Sequence, residues 1–189
     1  MSLDAAFTSF PLLTTNRLHL RQIQLSDAEA FYGVKSDQEV TRSYGQEPHR
    51  SLDDTRAWIQ RLQASYERRE CIFWCITLKA KDSAIGSCTF WNFSPDFHCT
   101  EIGYELHRAY WRRGITAEAV SEILRYGFTE LGFHRIEANP LAGNESSRGL
   151  LLKLGFTYEG SLRQRVFFRD HFEDQDYFGL LENEWLKRA

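Results

Sequence analysis

The feature that most constrains the fold of this chain is a change of hydrophobic pattern at Gly114. Residues 100–106, which precede it, have the composition of a β-strand. From Gly114 onward, apolar residues recur at the spacing of one helix face, at Ala117, Val120, Ile123, Leu124 and Phe128. Residues 110–114 therefore join a strand to an amphipathic helix, the basic unit of an α/β protein.

Patterns elsewhere in the chain extend this unit. Strands are expected at residues 17–23, 72–78, 84–91, 100–106, 134–139, 157–168 and 172–181. Helices are expected from Asp27 to Val34, from Ser51 to about Glu70, from Gly114 to about Leu131 and from Glu145 to Leu154. The order βααβββαβαββ predicts an α/β (α+β) fold, with one mixed sheet of about seven strands and about four helices.

Local signals mark several boundaries of these elements. Ser26 and Asp27 supply N-cap chemistry for the first helix, and Ser51 begins a capping-box pattern for the second. Residues 81–83 resemble the connection of a hairpin. No repeat or linker interrupts the chain, so residues 1–189 are expected to form a single domain.

Composition argues against several classes of protein. Hydrophobic residues make up 42% of the 189 residues and aromatic residues 14%, too many for a disordered chain. The net charge of −3 argues against bulk electrostatic binding of nucleic acid, and no segment approaches the ~20 apolar residues of a membrane span. The N-terminus lacks the pattern of a signal peptide. The four cysteines form no CxxC pair and no zinc spacing, so no metal is expected and a reducing cytoplasm is the expected location.

The junction at Gly114 has the chemistry of an anion site. Unpaired backbone N–H groups at the start of a helix attract negative charge, and a residue without a Cβ lets an anion approach the main chain. Arg112 and Arg113 add two cations directly before Gly114. The alternative is an ordinary turn between strand and helix, in which the glycine serves only the conformation of the backbone.

Residues 111–116 resemble motif A of the GNAT acetyltransferase superfamily, a loop of the pattern Gln/Arg-x-x-Gly-x-Gly/Ala after a strand. Here Trp111, Gly114 and Thr116 occupy the three positions, and the first and third depart from the general pattern. Trp after Tyr in the first position is similar to the branch that contains the RimJ/RimL ribosomal-protein acetyltransferases. The resemblance implies that the backbone amides of this loop bind the pyrophosphate of coenzyme A, at Arg112, Arg113, Gly114, Ile115, Thr116 and Ala117, and that Trp111 also belongs to the cofactor site.

Residues 139–156 resemble motif B of the same superfamily, in which an Asn begins a helix that ends in Gly-Phe. Asn144 is a good helix N-cap whose amide would also reach the pantetheine arm, and a capping role alone is the alternative. The implied cofactor site is completed by Leu106, Asn139, Asn144 and Ser147. The resemblance runs from about Thr14 to Trp185, and it implies the GNAT fold, with a mostly antiparallel sheet, and acetyl-CoA as cofactor.

The implied reaction is attack of a neutral amine on the thioester of acetyl-CoA, with release of the thiolate of coenzyme A. Backbone N–H groups near Glu105 and Leu106 are the candidate donors to the oxyanion. Many family members carry a Tyr seven residues after the motif B Asn as the acid for the thiolate, but Leu151 stands there in this chain. Ser147 is the candidate acid, directly or through water, and the alternative is a hydrogen bond to a helix carbonyl.

Two carboxylates on one face of the same strand, Glu101 and Glu105, are the candidates for the base. Either of them could instead be an ordinary surface carboxylate. A base has less to do for an N-terminal α-amine, which titrates near ~8, than for a lysine at ~10.4.

The resemblance to the RimJ/RimL branch implies the N-terminal α-amine of a protein or peptide as the favoured acceptor. A small-molecule amine is one alternative, and an acidic acceptor cleft would favour it. A catalytically silent acyl-CoA-binding module is the second, because Leu151 replaces the usual acid. No nucleic-acid or membrane partner is expected, and the oligomeric state stays open, a homodimer included.

Overall fold

A computed structural model describes residues 3–188 of the chain, and the strands of this part form a single sheet. They are β1 (Leu13–Thr14), β2 (Leu18–Gln22), β3 (Cys71–Leu78), β4 (Lys81–Ser94), β5 (Cys99–Leu106), β6 (Arg135–Ala138), β7 (Thr157–Phe168) and β8 (His171–Leu181). Their order is β1-β2-β3-β4-β5-β6-β8-β7, and every neighbouring pair except β5 and β6 is antiparallel. The predicted mixed, mostly antiparallel sheet is confirmed, with one short strand more than expected.

Seven α-helices accompany the sheet in residues 3–188. They are α1 (Leu3–Thr8), α2 (Ala28–Lys35), α3 (Gln38–Arg42), α4 (Leu52–Glu67), α5 (Ile115–Thr129), α6 (Glu145–Leu154) and α7 (Glu182–Leu186). The four predicted helices are α2, α4, α5 and α6. The other three have six residues or fewer, too few for a helical period to appear in the sequence. No helix of the described part is both long and apolar enough to cross a membrane.

The sheet separates two hydrophobic cores. Side chains alternate between the faces of a strand, so Trp74 packs in the core with α5 while Phe73 packs in the core with α2 and α4. Helix α5 contributes Ile123 and Leu124 to the first core, and α4 contributes Ile59 to the second. Strand β3 is therefore covered on both faces, which explains its uninterrupted apolar sequence.

A gap opens in the sheet between β5 and β6. These strands pair only over Cys99–Glu101 and Arg135–Glu137, and β5 then continues to Leu106 without β6 beside it. Hydrogen bonding alternates along an antiparallel strand, and the amide of His107 bonds the carbonyl of Ile85 on the β4 side. The amide of Leu106 is therefore directed away from β4 and into the gap. This is the place where the resemblance predicts the oxyanion donors.

One local prediction is wrong and a second holds only in position, and in both places a carboxylate binds Arg21. The hairpin turn lies at residues 79–80, because residues 81–83 already belong to β4, where Asp82 binds the Arg21 guanidinium at 2.8 Å. Asp27 occupies the N-cap position of α2, but its side chain makes no capping hydrogen bond to this helix. Its carboxylate accepts hydrogen bonds from the amide of Gln24 and from Arg21, at the end of a 3-10 turn. The predicted capping box at Ser51 is confirmed, with its partner at Asp54.

Candidate active site

The loop between β5 and α5 presents the start of a helix to the cleft. Gly114 is the N-cap residue of α5 and has a φ of 71°, and Arg112 is also left-handed, with a φ of 59°. A glycine N-cap brings no side chain that could occupy the first amides of the helix, which are free to bind an anion. A Cβ placed on Gly114 would meet only the Arg17 guanidinium, at 3.6 Å. The loop thus fits a pyrophosphate that approaches the main chain closely.

Trp111 connects this loop to the end of β5. Its indole N–H donates to the carbonyl of Leu106 at 2.7 Å. That carbonyl is on the same side of the strand as the amide that points into the gap. The aromatic residue in the first position of the motif therefore fixes the strand end that would hold the oxyanion.

A second set of contacts holds the loop from outside the cleft. Glu118, on the first turn of α5, accepts hydrogen bonds from the Thr15 hydroxyl and from the amide and guanidinium of Arg17. Arg17 also donates to the carbonyl of Arg113 at 3.0 Å. Burial raises the pKa of Glu118, but the hydrogen bonds from Thr15 and Arg17 outweigh it and hold this pKa below its usual value. We call this set, Thr15, Arg17 and Glu118, the loop clamp.

Helix α6 brings two hydroxyl groups together. Asn144 caps the helix, since its Oδ1 accepts the amide of Ser147 at 3.0 Å, and its Nδ2 donates to the carbonyl of Ser43 at 2.9 Å. The Ser147 Oγ lies 2.7 Å from the Tyr104 hydroxyl of β5. The helix carbonyl that would have been the alternative partner of Ser147 is thus replaced by Tyr104. Leu151 is fully buried.

Glu105 lies in a buried polar cluster near the C-terminal end of β5. One carboxylate oxygen accepts from the Lys35 Nζ at 2.7 Å and from the Tyr44 hydroxyl at 2.8 Å, and the other accepts from Ser87 at 3.2 Å. The side chains of Lys35 and Glu105 are only 7% and 6% exposed, and the Lys35 Nζ lies 4.4 Å from the centre of the Trp58 ring. Burial, followed by the charge of Glu105, raises the pKa of Tyr44. Each oxygen of Glu105 is therefore already occupied by a partner.

Glu101 is the less constrained carboxylate of the strand. It accepts a side-chain hydrogen bond from the Asn92 amide at 2.9 Å. Burial raises the pKa of Glu101 above its usual value, and the neighbouring Glu137 adds to this shift. Asn139, at the end of the gap, has a buried Oδ1 without a hydrogen-bond partner in the described residues. The Glu101 carboxylate and the Asn139 side chain thus both line the cleft, and the Asn139 Oδ1 is available to a ligand.

A glycine separates the two carboxylates of β5. A Cβ on Gly103 would lie 2.5 Å from the ring of Trp91. The indole covers this position and forms an aromatic wall between Glu101 and Glu105. Glycine is needed here because any larger residue would displace the ring.

One cleft joins these groups. Its volume is about 1180 Å³, and it runs from Gly114 through the gap to Trp58 on α4. The residues predicted from the sequence that line it are Glu101, Glu105, Leu106, Trp111, Arg112, Gly114, Ile115, Thr116, Ala117, Asn139, Asn144 and Ser147. Arg113 is the exception, because its guanidinium lies 5.5 Å from the centre of the Tyr110 ring and its carbonyl binds Arg17.

Several residues of this site have no local signal in the sequence. Tyr104 lies in a strand whose alternation already placed it on the face opposite Glu101 and Glu105, but its partner comes from a distant helix. The roles of Lys35 and Tyr44 could not be predicted from the sequence either. These residues reach Glu105 because α2 and the segment after α3 pack against β5.

Known proteins share this sequence and architecture. The family described as Acetyltransferase (GNAT) domain matches residues 17–157. The uncharacterized N-acetyltransferase YoaA of Bacillus subtilis is 41% identical over 158 residues, covering 84% of this chain and 89% of that protein. The uncharacterized N-acetyltransferase p20 of Bacillus licheniformis is 35% identical, covering 92% and 97%. A GNAT acetyltransferase of Bacillus anthracis superposes with a TM-score of 0.82 at 25% identity, covering 92% of this chain and all of that structure.

The fold and the cleft define an acyltransferase that takes its acyl group from an acyl thioester of coenzyme A. The chain belongs to the GNAT acetyltransferase family. It is an N-acetyltransferase that uses acetyl-CoA. This identification favours the enzyme over the catalytically silent module that the missing Tyr at position 151 had suggested.

Proposed function

We propose that the acceptor is the N-terminal α-amine of a protein or peptide, as in the RimJ/RimL branch. The observation that carries the proposal is the length of the cleft, which continues past the carboxylates of β5 between α3 and α4 and is also lined by Gln175 of the β7–β8 hairpin. An Arg169–Glu47 ion pair at 2.9 Å ties that hairpin to the segment after α3. Such a groove has room for the first residues of a chain beyond the reacting amine.

Two more distant relatives bear on this acceptor. The [ribosomal protein uS5]-alanine N-acetyltransferase of Escherichia coli is 29% identical over 102 residues, 53% of each chain. The spermidine N(1)-acetyltransferase of Vibrio cholerae is 20% identical over 175 residues, covering 92% of this chain. The protein acetyltransferase aligns at the higher identity and the spermidine enzyme over the greater length, so the proposal rests on the cleft and not on these two relatives.

In the proposed site, the loop at Gly114 holds the pyrophosphate and the β5–β6 gap holds the pantetheine arm. Acetyl-CoA supplies the activated acetyl group. The amide of Leu106 donates to the carbonyl oxygen of the acetyl group, and it stabilises the negative charge that this oxygen gains during the attack. Ser147 donates a hydrogen bond to the departing sulfur.

Glu101 is the proposed base. It takes the proton of the acceptor amine through a water molecule, and its raised pKa makes it a better proton acceptor than an exposed glutamate. Glu105 is the weaker candidate, because Lys35 and Tyr44 already donate to its carboxylate. We assign Glu105 to the buried cluster that shapes the acceptor end of the cleft, the part lined by α3, α4 and the start of β3.

A small cationic amine is the second candidate acceptor. Trp58, Phe73 and Trp91 line the acceptor end together with Glu39 and Glu70. Aromatic faces and carboxylates are the groups that bind ammonium ions. The spermidine enzyme shows that a relative acts on such an amine.

A competition between amines tests the proposal. The purified protein and acetyl-CoA are incubated with peptides that begin with Ala or Ser, with the same peptides blocked by N-acetylation, and with spermidine and single amino acids. We expect release of coenzyme A only with the unblocked peptides, and fragmentation mass spectrometry should place the acetyl group on the α-nitrogen. Turnover of spermidine without turnover of any peptide would establish the small-molecule acceptor instead.

Location and assembly belong to the same proposal. Cys71, Cys75 and Cys88 are buried free thiols, which supports a reducing cytoplasm. The homodimer stays a prediction that sedimentation of the purified protein tests.

A further inference from the structure

We propose that Tyr104 is a positioning residue for the sulfur of coenzyme A. It accomplishes this through Ser147, whose hydroxyl proton it directs into the cleft. The inference rests on the proposed role of Ser147 as donor to the sulfur. It answers the question that Leu151 raises, namely how the site works without a tyrosine on α6.

The two hydroxyl groups are held at both ends. Tyr104 is fixed by β5, and Ser147 is fixed by the bond from its amide to the Asn144 cap. Their oxygen atoms are 2.7 Å apart, and both residues line the cleft. Side chains alternate along a strand, so Tyr104 is on the face of β5 opposite to Glu101. The proposed base and the hydroxyl pair therefore approach the gap from opposite sides.

The chemistry of the pair sets the direction of its hydrogen bond. Each hydroxyl has one proton to donate, and a phenol is a stronger acid than an alcohol, so Tyr104 donates and Ser147 accepts. The Ser147 proton is then free to point elsewhere, and a hydroxyl that accepts one hydrogen bond becomes a better donor in another. Burial raises the pKa of Tyr104, which keeps the phenol protonated throughout the physiological range.

The hydroxyl pair stabilises charge without losing a proton. As the carbon–sulfur bond breaks, its electron pair stays on the sulfur, and Ser147 donates a hydrogen bond to the resulting thiolate. The proton that the thiolate finally takes is the one that the acceptor nitrogen lost, returned through Glu101 and water. Tyr104 and Ser147 end the reaction in the state in which they began.

A purely structural role is the rival explanation, in which Tyr104 only ties α6 to β5. The two explanations differ in what they predict for sulfur. A structural tie affects every ligand of the cleft equally, whereas a positioned donor acts only on a ligand that carries a thiolate.

The test compares the binding of coenzyme A and desulfo-CoA by calorimetry, from pH 7 to above the ordinary thiol pKa of ~8.5. The unmodified protein should increasingly prefer coenzyme A as the thiol ionises. Tyr104→Phe and Ser147→Ala should each lower this preference about tenfold, with the affinity for desulfo-CoA unchanged. The double variant should be no worse than Ser147→Ala alone. Tyr126→Phe, at a buried tyrosine of α5 away from the cleft, is the matched control and should behave like the unmodified protein.

Three results would overturn the inference. If Tyr104→Phe keeps the full preference while Ser147→Ala loses it, Ser147 acts without Tyr104. If Tyr104→Phe weakens both ligands equally and melts earlier than Tyr126→Phe, the hydroxyl is a structural tie. If the unmodified protein shows no preference at any pH, the role of Ser147 fails as well. No acceptor is present in this experiment, so a failed search for the acceptor leaves its outcome intact.

Discussion

At the scale of single residues, the two carboxylates of β5 show how the environment divides roles between identical side chains. Glu105 is enclosed with Lys35, Tyr44 and Ser87, and it would leave a buried ammonium uncompensated if it were neutralised. Glu101 accepts a hydrogen bond from the Asn92 amide, pairs with no cation in the described residues, and has a raised pKa. Glu105 therefore stabilises the fold through its ion pair with Lys35, and Glu101 has lone pairs available to accept a proton.

Substitution of each carboxylate by its amide should separate these roles. Glu105→Gln should lower the free energy of unfolding by ~3 kcal/mol or more, because Lys35 stays buried without its counter-charge. Glu101→Gln should leave stability nearly unchanged and lower kcat about 100-fold, the effect of losing a general base. Urea unfolding and steady-state kinetics measure the two effects. The assignment is wrong if Glu101→Gln unfolds early while Glu105→Gln stays folded and inactive.

The raised pKa of Glu101 also predicts a pH profile. A base must be unprotonated to act, so kcat/KM should fall as the pH drops through the pKa of Glu101, which lies above the ordinary ~4.3. The acidic limb should therefore begin at a higher pH than for an exposed glutamate. Glu101→Gln should remove this limb, and a limb that persists in the variant would assign it to another group.

Gly114 has a matched control in Gly132, because both are left-handed, with φ of 71° and 72°, and only Gly114 lies in the cofactor loop. Replacement by alanine should cost about 1 kcal/mol of stability at either position. Gly114→Ala should in addition weaken acetyl-CoA binding about tenfold, because the strain of a left-handed alanine displaces the first amides of α5, which hold the pyrophosphate in the proposed site. Calorimetry checks both variants. Equal affinities would contradict the placement of the pyrophosphate.

At the scale of elements, the loop clamp fixes the cofactor loop from a distant part of the chain. Thr15 and Arg17 come from the connection of β1 and β2, whereas Glu118 lies on α5. The guanidinium also reaches the carbonyl of Arg113 in the loop itself. The clamp therefore sets the angle at which α5 leaves the loop, without any contact between a clamp side chain and the cofactor being required.

Glu118→Gln should weaken acetyl-CoA binding about fivefold, because the amide cannot accept from Arg17 and Thr15 as strongly as the carboxylate does. Glu122→Gln, one turn further along α5, provides the control, since Glu122 forms its ion pair with the partly exposed Arg125 of the same helix. Titration calorimetry on both variants measures the difference. A loss of equal size in the control would assign the effect to the helix as a whole.

At the scale of the whole molecule, one sheet carries both halves of the site. The acceptor end is built on the face of α2 and α4, and the sulfur side on the face of α5 and α6, and the gap between β5 and β6 connects them. A ligand in the gap therefore touches elements from most of the chain. On this basis we propose that residues 1–189 unfold as one domain.

A single cooperative unfolding transition is the corresponding prediction. Tryptophan fluorescence and far-UV circular dichroism should give coincident curves, because Trp58 and Trp74 report on opposite faces of the same sheet. Acetyl-CoA at 100 times its Kd should add ~2.7 kcal/mol to the free energy of unfolding for both probes. Two separate transitions, of which the ligand shifts only one, would show that the halves fold independently.

The sequence by itself determined the elements whose signals are local. Helix α6 begins and ends where predicted, at Glu145 and Leu154, because its Asn cap and the following glycine act within a few residues. The position of the cofactor loop followed equally from its own residues, since the change of hydrophobic period at Gly114 is a property of neighbours in the chain.

Only the tertiary structure decided which groups meet across the sheet. The hydroxyl pair, the enclosure of Glu105 by Lys35, and the clamp on Glu118 join residues that are 43, 70 and at least 101 positions apart. No periodicity or cap in the sequence records such a distance, because each contact depends on the register of the strands and on the helices packed over them. The anion-binding chemistry of the loop could therefore be predicted from the sequence, whereas the separate roles of the polar side chains depend on the tertiary structure.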